Sequence, residues 1–325
     1  MTASSSIKTR FLIISDTHGK EFSPEAKPLK RADVAIHCGD LTDGSSLYEF
    51  HTAISLLKDI DAPLKLVIAG NHDITMDTPA FAERISQAPD HPLPDPIVKV
   101  FGTYGQARQL LEEAKDVGIM FLDEGTHYFT LENGAFLTVY ASPFTPAYGG
   151  WGFQYPQERG HNYGIEKGVD VVITHGPPRG IMDYTNSKER AGSPELFAAV
   201  ARVRPLLHCF GHIHEDWGAK MVTWRPKLTE NPSHFTDIDN GKSYVVENLA
   251  SLKQSRFDTP ENLEVKLKKM ERYSHDRCCT TSHCTGDKNP LQRGVQTLFV
   301  NASITDNVHL SQKPWLIDIE LPKAG

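Results

Sequence analysis

Phe11-Leu12-Ile13-Ile14-Ser15-Asp16-Thr17-His18-Gly19 is the stretch that decides the fold. A short apolar run ends abruptly in an acid, a histidine and a glycine. The pattern returns four times. Val34-Ala35-Ile36-His37-Cys38 opens into Gly39-Asp40, and Leu64-Lys65-Leu66-Val67-Ile68-Ala69 into Gly70-Asn71-His72-Asp73. Val169-Asp170-Val171-Val172-Ile173-Thr174 opens into His175-Gly176-Pro177-Pro178, and Pro205-Leu206-Leu207-His208-Cys209-Phe210 into Gly211-His212-Ile213-His214-Glu215. Such runs read as buried strands. Open α/β sheets carry their ligand groups at the carboxyl ends of strands. Asp16, Asp40 and Asn71 therefore gather on one rim with His18, His72, His175, His212 and His214. That set has enough oxygen and nitrogen donors for two metal ions.

Between the runs the apolar period changes. Leu47, Phe50, Ile54 and Leu57 recur at steps of three and four, which predicts a helix over 45–58. Ala107, Leu110, Leu111 and Ala114 repeat the pattern within 104–117. Ser193-Pro194 reads as an N-cap followed by a first-turn proline. Residues 126–131 and 135–140 flank Glu132-Asn133-Gly134, a hairpin signal. Later strands are expected at 219–224, 243–247, 297–301 and 315–321. One mostly parallel and one mostly antiparallel sheet, with helices outside, fits this order. The proline-dense stretch 88–96 reads as an irregular loop, and 225–291 as a polar insertion carrying a charged surface helix at 262–273. A solvated decoration is the expectation for the insertion, with a lid over the site as the alternative. The whole, residues 1–325, is expected to be a single domain.

Composition narrows the classes. A net charge of −7 disfavours a general nucleic-acid binder, so no duplex nucleic acid is expected as partner. A small phosphate substrate stays compatible, because metal ions bring their own positive charge. No apolar stretch approaches the roughly 18–20 residues that span a bilayer, and residues 1–10 carry no apolar leader core. A cytoplasmic location without membrane contact is the expectation, and oligomeric state stays open. Cys38 and Cys209 fall inside expected strands and read as core packing. Cys278, Cys279 and Cys284 cluster with His275 and His283. A mobile reduced loop, a structural zinc site and a local disulfide all stay open there.

The ordered set Asp-x-His, Gly-Asp, Gly-Asn-His-Asp, His-Gly and Gly-His-x-His, from Phe11 to Glu215, resembles the calcineurin-like metallophosphoesterases. The tail Thr297-Leu298-Phe299-Val300-Asn301-Ala302-Ser303 with Lys313-Pro314, and His175-Gly176-Pro177-Pro178, resemble one branch. That branch is the small metallophosphoesterase-domain proteins of eukaryotes, related to class III cyclic-nucleotide phosphodiesterases. Protein Ser/Thr phosphatases fit less well, since Asp43-Gly44 and Asp73 stand where they carry Arg and Glu. Purple acid phosphatases also fit less well, because Leu41, Thr42 and Asp43 leave no tyrosine after Gly-Asp.

The resemblance implies an α/β fold, a four-layer α/β/β/α sandwich of two mixed sheets flanked by helices. It implies that Asp16, His18 and His214 hold one metal, that Asn71, His175 and His212 hold the other, and that Asp40 bridges them. Two transition-metal ions are implied, Mn, Fe, Zn or Co, with Mn favoured for activity. The expected reaction is attack by metal-bound hydroxide on the phosphodiester of a small nucleotide-like substrate, possibly a cyclic nucleotide. A phosphomonoesterase, or a nucleotide-binding protein with little turnover, would use the same scaffold. His72 would act as a catalytic residue on the phosphoryl or leaving oxygen, with Asp73 orienting its ring or capping the turn. Asp43 stays open between a local hydrogen bond and a reach toward the ligands. Phe144, Tyr148, Trp151, Phe153 and Tyr155 form an aromatic cluster suited to stacking on a base, with Phe144, Tyr148 and Trp151 as expected substrate contacts beside His72. Arg159 and His161 are candidates to meet a phosphate or ribose.

Overall fold

The structure, a computed structural model, describes residues 6–86, 93–306 and 308–325. The first strands are β1 (Ser6–Ile14), β2 (Val34–His37), β3 (Leu64–Val67) and β4 (Ile119–Phe121). A hairpin follows, β5 (Gly125–Thr130) with β6 (Phe136–Ser142), then the short pair β7 (Thr145–Pro146) and β8 (Gln154–Tyr155). The remaining strands are β9 (Val171–Thr174), β10 (Leu207–Phe210), β11 (Gly218–Thr223), β12 (Tyr244–Asn248), β13 (Cys279–Ser282), β14 (Gln296–Asn301) and β15 (Trp315–Pro322). Helices are α1 (Leu47–Lys58), α2 (Thr78–Arg84), α3 (Asp95–Phe101), α4 (Gln106–Glu113), α5 (Pro194–Val203), α6 (Leu249–Leu252) and α7 (Pro260–Asp276).

Two sheets result. The first runs β13-β15-β1-β2-β3-β4, parallel except where β15 meets β1. The second runs β12-β11-β14-β10-β9-β6-β5. It is parallel through β14, β10, β9 and β6 and antiparallel at both edges. The expectation of a mostly antiparallel second sheet is thus corrected. Long connections, one of them through α5, return the chain to the same end of the sheet and keep its centre parallel.

Alternation along the strands builds the layers. Phe11, Ile13, Val34 and Ile36 face Val139, Val171, Ile173, Cys209 and Val300 between the sheets. Leu12, Ile14 and Val67 turn the other way, onto Phe50 and Leu57 of α1 and Leu111 of α4. Val172, Phe210 and Phe299 turn outward from the second sheet onto Leu196, Phe197 and Val200 of α5. Three apolar seams between four layers give the α/β/β/α sandwich. α1 starts on a capping box in which Ser46 and Glu49 satisfy each other's backbone N–H groups, a device contributing about 1 kcal/mol. Ser193 caps α5, with Pro194 in its first turn. No helix among the described residues is long and apolar enough to cross a membrane.

The stretch 225–291 is more than decoration. It supplies β12 to one edge of the second sheet and β13 to one edge of the first, and α7 packs on α6 and β13. The cysteine cluster is not a loose loop either. Cys278 packs into the helix-side seam and Cys279 into the seam between sheets, because neighbouring residues entering a strand face opposite ways. All five cysteines are free and buried, and none of the three-ligand groups found among the described residues includes one. Of the stretch 88–96, residues 88–92 lie outside the described residues, and Asp95 and Pro96 open α3 instead of continuing a loop.

Candidate metal centre

β1, β2 and β10 deliver their ligands through turns that ordinary residues resist. Asp16, His18, Asp40 and His212 all adopt positive φ, between 47° and 68°, a left-handed conformation that is strained for residues with a side chain. Backbone bonds between turns hold them there. Asp16 N–H donates to Gly39 O at 3.0 Å and His18 N–H to Asp40 O at 3.1 Å. His37 adds a side-chain tie, with Nε2 2.9 Å from Thr17 Oγ1. Glycine matters at two points. A Cβ on Gly70 would overlap Asp40 Oδ1, and one on Gly211 would overlap Asp16 Oδ2. Each carboxylate can therefore lie directly against a neighbouring turn.

The expected acid and histidine ligands fall in two of three donor groups found among the described residues, the third being His18 with Asp43 and His72. Asp16, His18 and His214 offer ligand atoms all within 4.8 Å of one another, as do Asp40, His175 and His212. His214 Nε2 lies 3.2 Å from Asp16 Oδ1 and 3.3 Å from His18 Nε2. Asn71 Oδ1 lies 3.0 Å from His175 Nε2, while its Nδ2 donates to Tyr148 Oη. Asp40 sits between the sets. Its Oδ1 accepts His72 N–H, leaving Oδ2 3.3 Å from His175 Nε2 and 3.8 Å from His18 Nε2.

Tautomers decide what these nitrogens can do. His18 Nδ1 faces Thr42 O at 3.2 Å, and His175 Nδ1 faces Cys38 O at 2.9 Å. A carbonyl only accepts, so each Nδ1 carries the proton and each neutral ring turns an Nε2 lone pair inward. Lone pairs aimed at carboxylate oxygens repel unless positive charge lies among them. The electrostatics of the bare protein agree. Burial pushes His175 down, but the charge and hydrogen bond of Asp40 outweigh it and raise the ring to about 9. Burial, with the His175 charge, drives His212 to about 3, and burial lowers His18 as well. Burial raises Asp16 and Asp40, yet the surrounding imidazoles more than offset it and hold both below the usual carboxylate range. One proton on His175 is the bare protein's substitute for a cation. The buried, inward-facing N/O set therefore fits divalent metal ions.

Expected roles shift at some positions. Asp73 does not meet the His72 ring. Its carboxylate accepts from Gly70 N, Leu41 N, Thr42 N and Thr42 Oγ1, at 2.7–3.1 Å. It locks the second and third turns together. Burial and the charge of Asp40 raise it to about 6. Asp43 is what holds the ring, since His72 Nδ1 donates to its carbonyl at 2.7 Å. Its carboxylate lies 3.6 Å from both His18 Nδ1 and His72 Nδ1. Trp151 lies over His72, ring centres 4.3 Å apart, and Arg84 covers Trp151 at 4.9 Å. Tyr148, 59% exposed, meets His212 and Asn71 at the rim.

Phe144 is elsewhere. It packs on Phe153 and His161, and His161 is taken up by Glu124 at 2.7 Å. The aromatic segment is thus split, with Tyr148 and Trp151 at the rim and Phe144 and Tyr155 around His161. Arg84 and His37 escaped sequence reasoning. Arg84 lies on a helix far along the chain from Trp151, and His37 sits inside a strand like any core residue.

A sandwich of two mixed sheets with two metal-fitting donor sets at one rim defines the class, and sequence comparison gives the family. The family model described as calcineurin-like phosphoesterase matches residues 9–216, a stretch that includes every residue of both sets. The chain belongs to this family of metallophosphoesterases, whose members use a dinuclear metal centre.

Over 216 residues the chain is 35% identical to metallophosphoesterase domain-containing protein 1 of Homo sapiens, covering 65% of this chain and 62% of that protein. It is 32% identical over 216 residues to UPF0046 protein T07D4.2 of Caenorhabditis elegans, covering 64% and 52%. Among solved structures it is similar to purple acid phosphatase PPD1 of yellow lupin, with a TM-score of 0.36 and 12% identity over 69% of this chain and 40% of that one. The aligned stretch is thus less than two thirds of the length of either sequence relative.

Proposed function

We propose that this phosphoesterase cleaves phosphodiesters of small nucleotide-like substrates, cyclic nucleotides among them. Asp16, His18 and His214 would hold one metal ion, Asn71, His175 and His212 the second, and Asp40 both. The observation that carries this reading is Asp40, pinned at one oxygen and presenting the other to histidines of both sets. Bound there, two divalent ions would polarise the phosphoryl oxygens and acidify a water between them.

The chain's own residues do the rest. The Nδ1 bond of His72 to Asp43 O fixes the ring and leaves Nε2 to hold or give a proton at the leaving oxygen. Trp151, itself covered by Arg84, packs on that ring and keeps it from rotating, leaving the indole edge toward a substrate. Tyr148 orients the Asn71 amide so that its oxygen faces inward. The mixed nitrogen and oxygen donors suit Mn, Fe, Zn or Co, and Mn²⁺ is the ion to add first.

Purified protein with Mn²⁺ is to be tested on bis(p-nitrophenyl) phosphate, on p-nitrophenyl phosphate and on 2′,3′- and 3′,5′-cyclic nucleotides. Diesters are expected to turn over faster than the monoester. Trp151→Ala, which frees the His72 ring, is expected to lower kcat/KM on the nucleotides and on the nitrophenyl diester alike, by about tenfold. A faster monoester would transfer the same site to phosphomonoester hydrolysis. Tight nucleotide binding without turnover would make it a binding protein.

A further inference from the structure

A second cavity, of about 510 Å³, lies where the insertion meets the sheet edges. Small-molecule sites commonly have roughly this size. Its floor is Trp217, which is buried and stacked on Trp315 at 4.8 Å. Leu249 and Leu252 of α6 form one wall, and Met270 with Tyr273 of α7 forms another. Met270 is 47% exposed, although it faces an apolar lining it could have closed. Both helices are anchored at the end of β12. Tyr273 Oη donates to Glu247 at 2.8 Å, Lys269 pairs with Glu247 at 2.9 Å, and Asn248 caps α6. Both walls of the cavity are thus fixed to the sheet edge.

Its mouth is charged unevenly. Lys253, exposed, and Lys313, half-buried, both border it, and no ion pair found among the described residues includes either. The one carboxylate there, Asp306, gives its Oδ1 to the N–H groups of Val308 and His309. An apolar, aromatic-floored slot with two available ammonium groups at its mouth calls for a ligand with an apolar body and an anionic head.

We propose that this cleft binds an anionic amphiphile, with its chain over Trp217 between α6 and α7 and its head at Lys253 and Lys313. The cleft is separate from the ligand sets of the phosphoesterase site. Trp217 follows His214 by three residues, but its side chain serves the seam between the sheets.

The test is titration calorimetry of the full chain with decanoate below its micellar concentration, and with decyltrimethylammonium as the cationic match. Decanoate is expected to bind with a negative heat-capacity change, at least tenfold tighter than the cation. Leu252→Trp, which fills the slot, should abolish binding, and Met270→Trp should do the same from the other wall. Lys253→Glu with Lys313→Glu should weaken decanoate at least tenfold and favour the cation. All of these variants should keep diester turnover within about twofold. Equal binding of both head groups, unchanged binding in folded Leu252→Trp and Met270→Trp, or no heat with decanoate would each overturn the proposal.

Discussion

Two regions of this chain are rich in metal-ligating side chains in the sequence, and the fold treats them in opposite ways. The histidines and acids of the strand ends lie up to two hundred residues apart, yet their donor atoms meet within 4.8 Å. Cys278 and Cys279 are adjacent, yet they are buried in different seams on opposite sides of a sheet. Parallel strands end on a common rim, so whatever follows them converges. Residues along one extended segment alternate, so neighbours diverge. Density of ligand types in sequence therefore says less than where the strands end.

The sharpest break between the regions is Asp40→Asn. With its shared oxygen lost as a charged ligand, diester turnover is expected to fall by about a thousandfold or more. Bound metal, measured by elemental analysis, should fall below two ions per chain. Wild-type rates in this variant would dissolve the contrast.

Asp73→Ala comes next. It strands the N–H groups of Gly70, Leu41 and Thr42 in a buried place, and a loss of about 2–4 kcal/mol in urea unfolding is expected. Asp43→Ala leaves its carbonyl on His72 and should cost under about 1 kcal/mol. Equal losses would show that the two acids do not divide the work as their contacts indicate.

The bare site should also reveal itself through pH. In metal-free protein His175 is raised from 6.5 to about 9. The folded state holds that proton more tightly than the unfolded one. Its stabilisation is thus fully present below pH 6.5 and lost as pH rises through about 9, at most about 3 kcal/mol. The thermal midpoint of chelator-treated protein is expected to drop across that window. Metal-loaded protein should not follow, because the nitrogen is then occupied by a cation and not by a proton. Parallel curves with and without metal would argue against cation binding at His175.

At the small end, Cys278→Ser and Cys284→Ser should leave metal content unchanged and turnover within about twofold. Loss of one ion in either variant would move a metal site to the insertion.

This contrast also explains what the sequence made legible. The five strand-end motifs announce themselves, since each couples a short apolar run to a Gly-flanked polar turn. The start of α5 was legible at Ser193, where local hydrogen bonding decides the outcome, whereas periodicity only bracketed α1 and did not reveal its Ser46–Glu49 capping box. β13 was not legible, because Cys279-Thr280-Thr281-Ser282 has neither an apolar run nor clear alternation. It is a strand because β15 offers it an edge. The choice between the alternatives left open for Asp43 and Asp73 was equally hidden. Both acids flank the right turns, and only the packing of those turns decides which one faces backbone N–H groups. The split of the aromatic segment has the same origin. Trp151 and Phe144 are neighbours in sequence, but one stacks on His72 and the other on His161.

The central claim is two metal ions shared across Asp40, and diffraction from Mn²⁺-soaked crystals at the manganese edge tests it most directly. The account expects two anomalous peaks about 3.5–4 Å apart. One should lie against Asp16, His18 and His214, the other against Asn71, His175 and His212, with Asp40 touching both. A single peak, or peaks that leave Asp40 untouched, would contradict it.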